Sequence, residues 1–238
     1  MGQGIQQPSV QQDGGNAFLD VFKVLFEPTA VFERVRERPR FLAPFIVICA
    51  LQIAIYFYNL PFMKAGMAAQ MANRPAGGPD PSKFLFIGAL FIPVGIGIAL
   101  LLGGLILWLL VSVFGGDGKF GTLLSVTAYA AVPSVVLLAI VGTIVLHLQG
   151  VGQITSPQDM QPALGLDLLA PGAKGFVGAA LKAVNPFGIW ALVLTAIGVS
   201  TTHRLSKSTG YIVATIGFLI GVVIAGGFAA MFAGRAGG

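Results

Sequence analysis

The segment Gly115-Gly116-Asp117-Gly118-Lys119 interrupts two very long apolar runs, and its glycines and lysine superficially resemble a phosphate-binding loop. Such a loop needs Ser or Thr directly after its lysine, and Phe120 stands there instead. A phosphate loop also follows a strand, and no strand is predicted before this segment. We therefore interpret it as a tight turn that joins two membrane-spanning helices on one side of the bilayer.

The two histidines, His147 and His203, stand at the ends of apolar runs. Neither has a Cys, Asp or Glu at the spacing of metal ligands, so the sequence predicts no metal site. No Ser lies in a Gly-x-Ser-x-Gly elbow, and no His–acid pair is evident. The single cysteine, Cys49, lies in an apolar run. We predict no enzymatic activity and no cofactor.

The composition is that of a membrane protein. Of the 238 residues, 55% are hydrophobic and 10% are charged, and the mean hydropathy is +0.86. Soluble domains carry about 25% charged residues. The basic residues behind the net charge of +5 are scattered among apolar runs and form no basic face. This distribution favours lipid head groups as partners and excludes nucleic acid.

The order of apolar and polar segments predicts an all-α, polytopic helical bundle. Residues 1–16 are rich in Gln and Gly and are expected to be a disordered tail, and residues 17–40 are expected to form amphipathic interfacial helices. Residues 41–233 hold five apolar runs, each compared with the ~20 residues that a spanning helix needs. These runs are at about 41–60, 84–114, 121–146, 187–202 and 211–232.

The stretch from Ala17 to Arg40 combines an apolar stripe at helical spacing with a cluster of arginines. Pro28 is expected to end one short helix and open the next. We predict that this stretch binds the surface of an anionic bilayer. Two interpretations stay open, because the apolar stripe is equally suited to packing against the membrane domain of the chain. The predicted surface-binding residues are Phe18, Phe22, Phe26, Phe32, Arg34, Arg36, Arg38 and Arg40.

Small residues recur every four positions in the fifth run, and a second row (Gly226, Ala230 and Gly234) lies beside them. Such rows form a groove that another helix backbone approaches closely. The groove is expected to pack against another span of the same chain, and the alternative is a seam between two copies. The predicted packing residues are Gly217, Gly221, Ala225, Ala229 and Ala233.

Three segments, taken in this order and spacing, resemble the Yip family, five-span membrane proteins named for their interaction with Ypt/Rab GTPases. The first is Leu25-Phe26-Glu27-Pro28 through Phe32, which resembles the motif that precedes the membrane domain in bacterial members. The second is the central hairpin, with Gly115, Gly116, Tyr129 and Pro133. The third opens the fourth span with Asn185, Pro186, Phe187 and Trp190.

The resemblance implies five spans, a cytosolic N-terminus and no enzymatic activity. Eukaryotic relatives act in vesicle trafficking and bind prenylated Rab GTPases and one another. The short region before the first span departs from them, which counts against GTPase binding and indicates a prokaryotic-type member in an inner (plasma) membrane. The basic residues before the first span also predict a cytoplasmic N-terminus, with the C-terminus on the opposite side.

Two functions fit these features. The first is a non-catalytic scaffold or adaptor that organises the membrane and binds lipid, other membrane proteins or itself. The second is a passive channel or a transporter of small solutes or lipid. The spans carry no Asp, Glu, Lys or Arg, which argues against an ion-coupled carrier and leaves a passive pore open.

Overall fold

The computed structural model describes residues 16–72 and 84–233, and these ranges hold helices joined by turns, without a β-strand. Residues 1–15 of the tail predicted for residues 1–16 therefore lie outside the described part of the chain. The helices are α1 (Ala17–Lys23), α2 (Pro28–Glu37), α3 (Leu42–Tyr58), α4 (Leu60–Ala72), α5 (Leu85–Val113), α6 (Phe120–Val132), α7 (Leu138–Gln149), α8 (Gly175–Ala183), α9 (Pro186–His203) and α10 (Lys207–Ala233). The predicted all-α fold is confirmed.

Four helical segments are each long and apolar enough to cross a membrane: Leu85–Val113, Phe120–Gln149, Pro186–His203 and Lys207–Met231. The pair α3 and α4 passes the same test only as a unit, and it is bent by 60°. By length and composition, the described residues therefore hold four candidate spans, or five when the bent pair is counted as one. We call the end of the bundle that holds α1, α2 and the turn at 114–119 the N-terminal end, and the end that holds α4 and α8 the opposite end.

Helix α4 is an element that the sequence did not predict, because Pro61 was expected to close the first span. The chain breaks at Asn59 and begins α4 at Leu60, so Pro61 lies in the first turn of the new helix. A proline there costs no hydrogen bond, since the first amide groups of a helix have no partner within it. The residue thus redirects the chain and does not end the helical structure.

A single wide turn, Pro133–Leu137, joins α6 to α7 within one span. Proline has no N–H to donate, so the backbone here shifts to a longer hydrogen-bonding pattern, in which the N–H of Leu138 donates to the carbonyl of Pro133. The side chain of Gln52 in α3 donates to the carbonyl of Val135 at 2.7 Å. The amide thus satisfies an acceptor that water does not reach in the membrane.

The core of the bundle lies around α6 and α9. Nearly every residue of α6 from Thr122 to Val132 is buried, and Leu194 and Val199 of α9 pack into the same cluster. By contrast, α5 turns a row of large apolar side chains outward, as a lipid-facing helix does. These are Leu90, Phe91, Val94, Ile98, Leu101, Leu105 and Leu109.

The row of small residues on α10 packs within the chain only at its beginning. A Cβ at Gly217 would lie 3.5 Å from Leu107 Cδ2 of α5, whereas a Cβ at Gly221 would meet no atom within 4 Å. Ala225 is exposed and Ala229 is half-buried, and the side chain of Ala233 lies outside the described part. The expectation of intrachain packing at Gly221 and Ala225 is therefore corrected.

Helix α8 packs instead on the second row of α10. A Cβ at Gly226 would lie 2.5 Å from Phe176 Cδ2, and Gly175 backs onto Ala230. The rows of small residues wind slowly around the axis of α10. The helix therefore presents one row to α5 near its beginning and the other row to α8 near its end.

Gly198 provides a test of the core. A Cβ there would lie 2.6 Å from Val126 Cγ1 and 3.0 Å from Phe32 Cε1, and both side chains are fully buried. We predict that Gly198→Ala lowers the free energy of unfolding by about 1–3 kcal/mol through overpacking. Thermal unfolding of the full chain in detergent measures this loss.

The matched control is Gly221→Ala, which places the same methyl group in open space. It is expected to be neutral or slightly stabilising, because Ala favours a helix more than Gly does. A melting temperature for Gly198→Ala that equals that of the wild type contradicts the close packing described here.

Candidate membrane-contacting site

The N-terminal helices begin and end on local signals in the sequence. Asn16 caps α1, because its side-chain oxygen accepts a hydrogen bond from the amide of Phe18 at 3.1 Å. Pro28 is the first residue of α2, as predicted from its fixed backbone angle. The chain thus turns between two short helices within a few residues.

One face of each helix is buried in the bundle. Val21 and Val24 of α1, and Val31, Phe32 and Val35 of α2, belong to the same core cluster as Ile48, Val126, Tyr129 and Val199. Phe32 was expected at the membrane surface, and the structure corrects this, since its side chain is completely buried. The lack of a side chain at Gly198 leaves the space that its ring occupies.

The other face of α1 and the turn after it carry large apolar side chains that the described chain covers only in part. Phe18 and Leu19 are about half exposed, Phe22 is 54% exposed and Phe26 is 84% exposed. A contiguous apolar surface of this kind on a membrane protein is suited to lipid contact. The predicted stripe is thus divided, with the valines directed inward and the phenylalanines outward.

Helices α1 and α2 lie alongside the spanning helices, deeper in the bundle than the ends of those helices. Gly198, which contacts Phe32, lies five residues before the end of α9, about 7.5 Å along its axis. Tyr129, nine residues into α6, donates a hydrogen bond to the carbonyl of Ala17 at 3.2 Å. The start of α1 therefore lies at the level of the inner turns of α6, deeper than the ends of the spanning helices.

A bidentate ion pair joins α1 to α2. Arg34 Nη2 lies 2.6 Å from Asp20 Oδ1, and its Nε lies 3.1 Å from Oδ2. The Asp20 side chain is 8% exposed and that of Arg34 is 34% exposed. The hydrogen bond to Asp20 raises the pKa of Arg34 above its usual value, so this arginine is engaged within the protein.

Asp20 was not predicted as a site residue, because a single acid in an amphipathic stretch is typical of the solvent-facing side of a helix. Its partner lies fourteen positions along the chain in another helix, and no local pattern links two residues so far apart. A lone acid on the inward side of an amphipathic helix, followed by an arginine-rich helix, is the signal that points to such a pair.

The remaining predicted arginines lie toward the N-terminal end. Arg36 and Arg38 are exposed, and Arg40 is half-buried. Arg36 Nη1 lies 3.5 Å from the carbonyl of Thr201, at the end of α9. The exposed side chains of Arg36 and Arg38 thus lie at the same end of the bundle as α1.

The glycines of the central hairpin form a fixed turn. Gly115 has a φ of +79°, which side chains rarely permit, and a Cβ at Gly116 would lie 2.6 Å from Val111 Cγ1. Trp108 Nε1 donates to the carbonyl of Gly118 at 2.8 Å. Gly116 also lies against Leu205, which brings this turn to the loop between α9 and α10.

The segment Asn185-Pro186-Phe187 caps α9. The side-chain oxygen of Asn185 accepts from the amides of Phe187 at 3.0 Å and Gly188 at 2.9 Å, and its Nδ2 donates to the carbonyl of Lys182 at 2.8 Å. Pro186 is the first residue of the helix, and Trp190 is partly exposed one turn later. Together with Pro133 in its wide turn, these motif residues shape the backbone.

The histidines occupy separate positions. His147 lies between the rings of Tyr58 and Phe62, with centroid distances of 4.4 and 4.5 Å, and its Nδ1 donates to the carbonyl of Thr143 at 2.9 Å. His203 Nδ1 lies 2.7 Å from the hydroxyl of Thr202. Within the described residues, no three His, Cys, Asp or Glu side chains are grouped to hold a metal ion.

Comparisons with known proteins agree with this architecture. The model of a family described as the Yip1 domain matches residues 22–231. The chain is 28% identical over 228 residues to Membrane protein YknW of Bacillus subtilis (strain 168), an alignment that covers 91% of this chain and 94% of that protein. No solved structure matches the chain.

Removing the carboxylate of Asp20 is expected to destabilise the N-terminal helices. Asp20→Asn leaves a partly buried guanidinium without its counter-charge, which costs about 1–3 kcal/mol of unfolding free energy. The melting temperature of the full chain is the measurement, with Lys23→Gln on the exposed side of α1 as the control. In a double-mutant cycle with Arg34→Gln, strictly additive losses would refute the coupling.

Proposed function

Because the chain belongs to the Yip1 domain family, whose model matches residues 22–231, we propose that it is a non-enzymatic scaffold that organises the membrane by binding lipid and other membrane proteins. The observation that carries the proposal is the two-sided N-terminal helix pair. One side is part of the protein core, and the other presents Phe18, Phe22 and Phe26 outward.

This arrangement supports a fixed anchor in one leaflet. A helix that only adsorbs to a membrane loses order when it leaves the surface, whereas α1 is held by its valines, by the Asp20–Arg34 pair and by the bond from Tyr129. Its phenylalanines are therefore already positioned, and lipid binding requires little further ordering of the chain. The lipid around α1 is thereby constrained by a rigid surface.

The basic residues at this end of the bundle support a preference for anionic lipid. Arg36 and Arg38 are exposed at the same end of the bundle as Lys119 and Lys207. Each basic residue near an anionic surface contributes about 1 kcal/mol to binding. The same asymmetry supports a cytoplasmic N-terminal end in a prokaryotic plasma membrane, since cytoplasmic segments carry an excess of Lys and Arg.

The polar side chains inside the spans support a structural role over a path for solutes. The hydroxyl groups of Ser125, Thr127, Thr195 and Thr202 each donate to the carbonyl four residues earlier in their own helix, at 2.7–2.9 Å. A hydroxyl engaged in this way has no donor left for a passing solute. Gln52 is likewise committed to the wide turn in the span of α6 and α7.

The position of α1 gives a direct test. We predict that a fluorophore attached at Phe22→Cys, in a Cys49→Ala background, is quenched by brominated lipid and protected from aqueous iodide. A fluorophore at Glu37→Cys, at the exposed end of α2, is the control and should show stronger iodide quenching. Ready iodide quenching at position 22 in proteoliposomes would mean that α1 does not contact the acyl chains.

The arginines give a second test. Arg36→Gln with Arg38→Gln is expected to reduce the co-purification of phosphatidylglycerol with the full chain by several-fold, and added salt should have the same effect on the wild type. Lys174→Gln, an exposed residue at the opposite end, is the control. Unchanged lipid retention in the double variant would show that the arginines do not recruit anionic lipid.

A further inference from the structure

A polar surface cavity of about 470 Å³, wide open on its outer side, lies at the opposite end of the bundle, away from α1 and α2. It opens where α7 ends, since Gln149 is the last residue of that helix and Leu148 before it is 83% exposed. A helix end that follows a lipid-facing leucine lies at the boundary between acyl chains and water. The lining residues are Gln149, Gln153, Gln158, Asp159, Gln161 and Pro162.

The wall of this cavity is fixed from beneath by apolar contacts. Ile154 is buried with Phe62 and Leu146. Met160 fills the space above Gly66, where a Cβ would lie 3.0 Å from its sulfur, and Pro162 approaches Gly142. A loop anchored at several points forms a largely preformed site, and binding to such a site loses little energy to ordering.

Asp159 supplies the only formal charge among these lining residues. Its Oδ2 accepts from the amide of Thr155 at 2.8 Å, the hydroxyl of Thr155 at 2.9 Å and the amide of Ser156 at 2.7 Å. These bonds lower the pKa of Asp159 below its ordinary value, so the group is ionised at neutral pH. These three bonds all end on Oδ2, so the ligand is expected at Oδ1.

We propose that this cavity binds a primary ammonium group, with Asp159 as the counter-ion and the glutamine carbonyls as further acceptors. An ammonium group has three donors and no acceptor, which suits a lining of one carboxylate and four amides. Quaternary ammonium groups are held by aromatic cages, and none of the named lining residues is aromatic. The site therefore distinguishes a primary amine from its trimethylated form.

The cation of Lys182, at the rim of the cavity, favours a ligand that carries an anionic group as well as the ammonium group. Lys182 Nζ lies 3.2 Å from Gln161 Oε1, so a positive charge stands beside the carboxylate-bearing cavity. An amine joined to a phosphate satisfies both charges, as in phosphoethanolamine. That chemistry occurs in the headgroup of an aminophospholipid and in the free compound, and the two sources are separated by experiment.

The experiment uses the full chain and both forms of the ligand. In detergent, calorimetry with free phosphoethanolamine is expected to show saturable binding, at least about tenfold tighter than with phosphocholine. In parallel, the wild type is purified from membranes that hold phosphatidylethanolamine and phosphatidylcholine, and the retained lipid is counted by native mass spectrometry. Retention of phosphatidylethanolamine assigns the ligand to the lipid, and binding of the free compound alone assigns it to the soluble amine.

Two variants locate the site. Asp159→Asn removes the charge and keeps an acceptor for the turn, and Gln153→Lys places a cation in the cavity without changing the hydrogen bonds of Asp159. Each is expected to weaken binding at least about tenfold. The control is Asp117→Asn, an exposed carboxylate at the N-terminal end, which should bind as the wild type does. Equal binding of phosphoethanolamine and phosphocholine, unaltered binding in both cavity variants, or no binding in either arm overturns the proposal.

Discussion

The contact between Phe32 and Gly198 fixes the N-terminal helices to the membrane domain. A helix of seven residues and one of ten are too short to be stable in isolation, so their order depends on tertiary packing. With Phe32 buried beside Val126, α2 is held against α9. The ion pair from Arg34 to Asp20 then sets the position of α1 and turns its phenylalanines outward.

A second constraint governs the spans, where water is not available to satisfy backbone carbonyls. Pro133 interrupts the regular ladder of its helix, and the chain compensates with a wide turn and with the amide of Gln52. At the break after α3, the Nδ2 of Asn59 donates to the hydroxyl of Thr143 at 2.9 Å, which joins the end of α3 to α7. Gln52 of α3 thus lies beside the point in the neighbouring span where the regular helix geometry is lost.

The sequence predicts an all-α bundle of long apolar helices because a long apolar run has few alternatives in a membrane. It predicts the start of α2 for a different reason, since Pro28 acts on the backbone near it. Helix α4 was missed because the same proline pattern both ends and begins helices, and only the packed structure distinguishes the two. In each of these elements the deciding interaction is local or is imposed by the lipid.

Long-range contacts account for what the sequence did not reveal. The amphipathic stripe that begins at Phe18 is equally compatible with lipid and with the bundle. In the structure its residues are divided, because α6 and α9 leave room in the core for the valines and for one phenylalanine, Phe32. The row at Gly221 is likewise regular in sequence, but α8 meets Gly226. The cavity at Asp159 is formed mainly by a connector that has no hydrophobic periodicity, so no sequence pattern predicts it.

The two ends of the bundle differ in the charge that they offer to lipid. Exposed arginines lie at the N-terminal end, whereas the opposite end combines a cavity that holds a carboxylate and amides with the exposed cations Lys174 and Lys182. Charges of opposite sign favour different headgroups, because an anionic lipid is attracted to the first end and an amine to the second. The proposed scaffold role and the proposed amine site together assign a different lipid chemistry to each end of the bundle. The N-terminal helices are held in place for that role by the packing of α2 on α9, which belongs to the central core cluster.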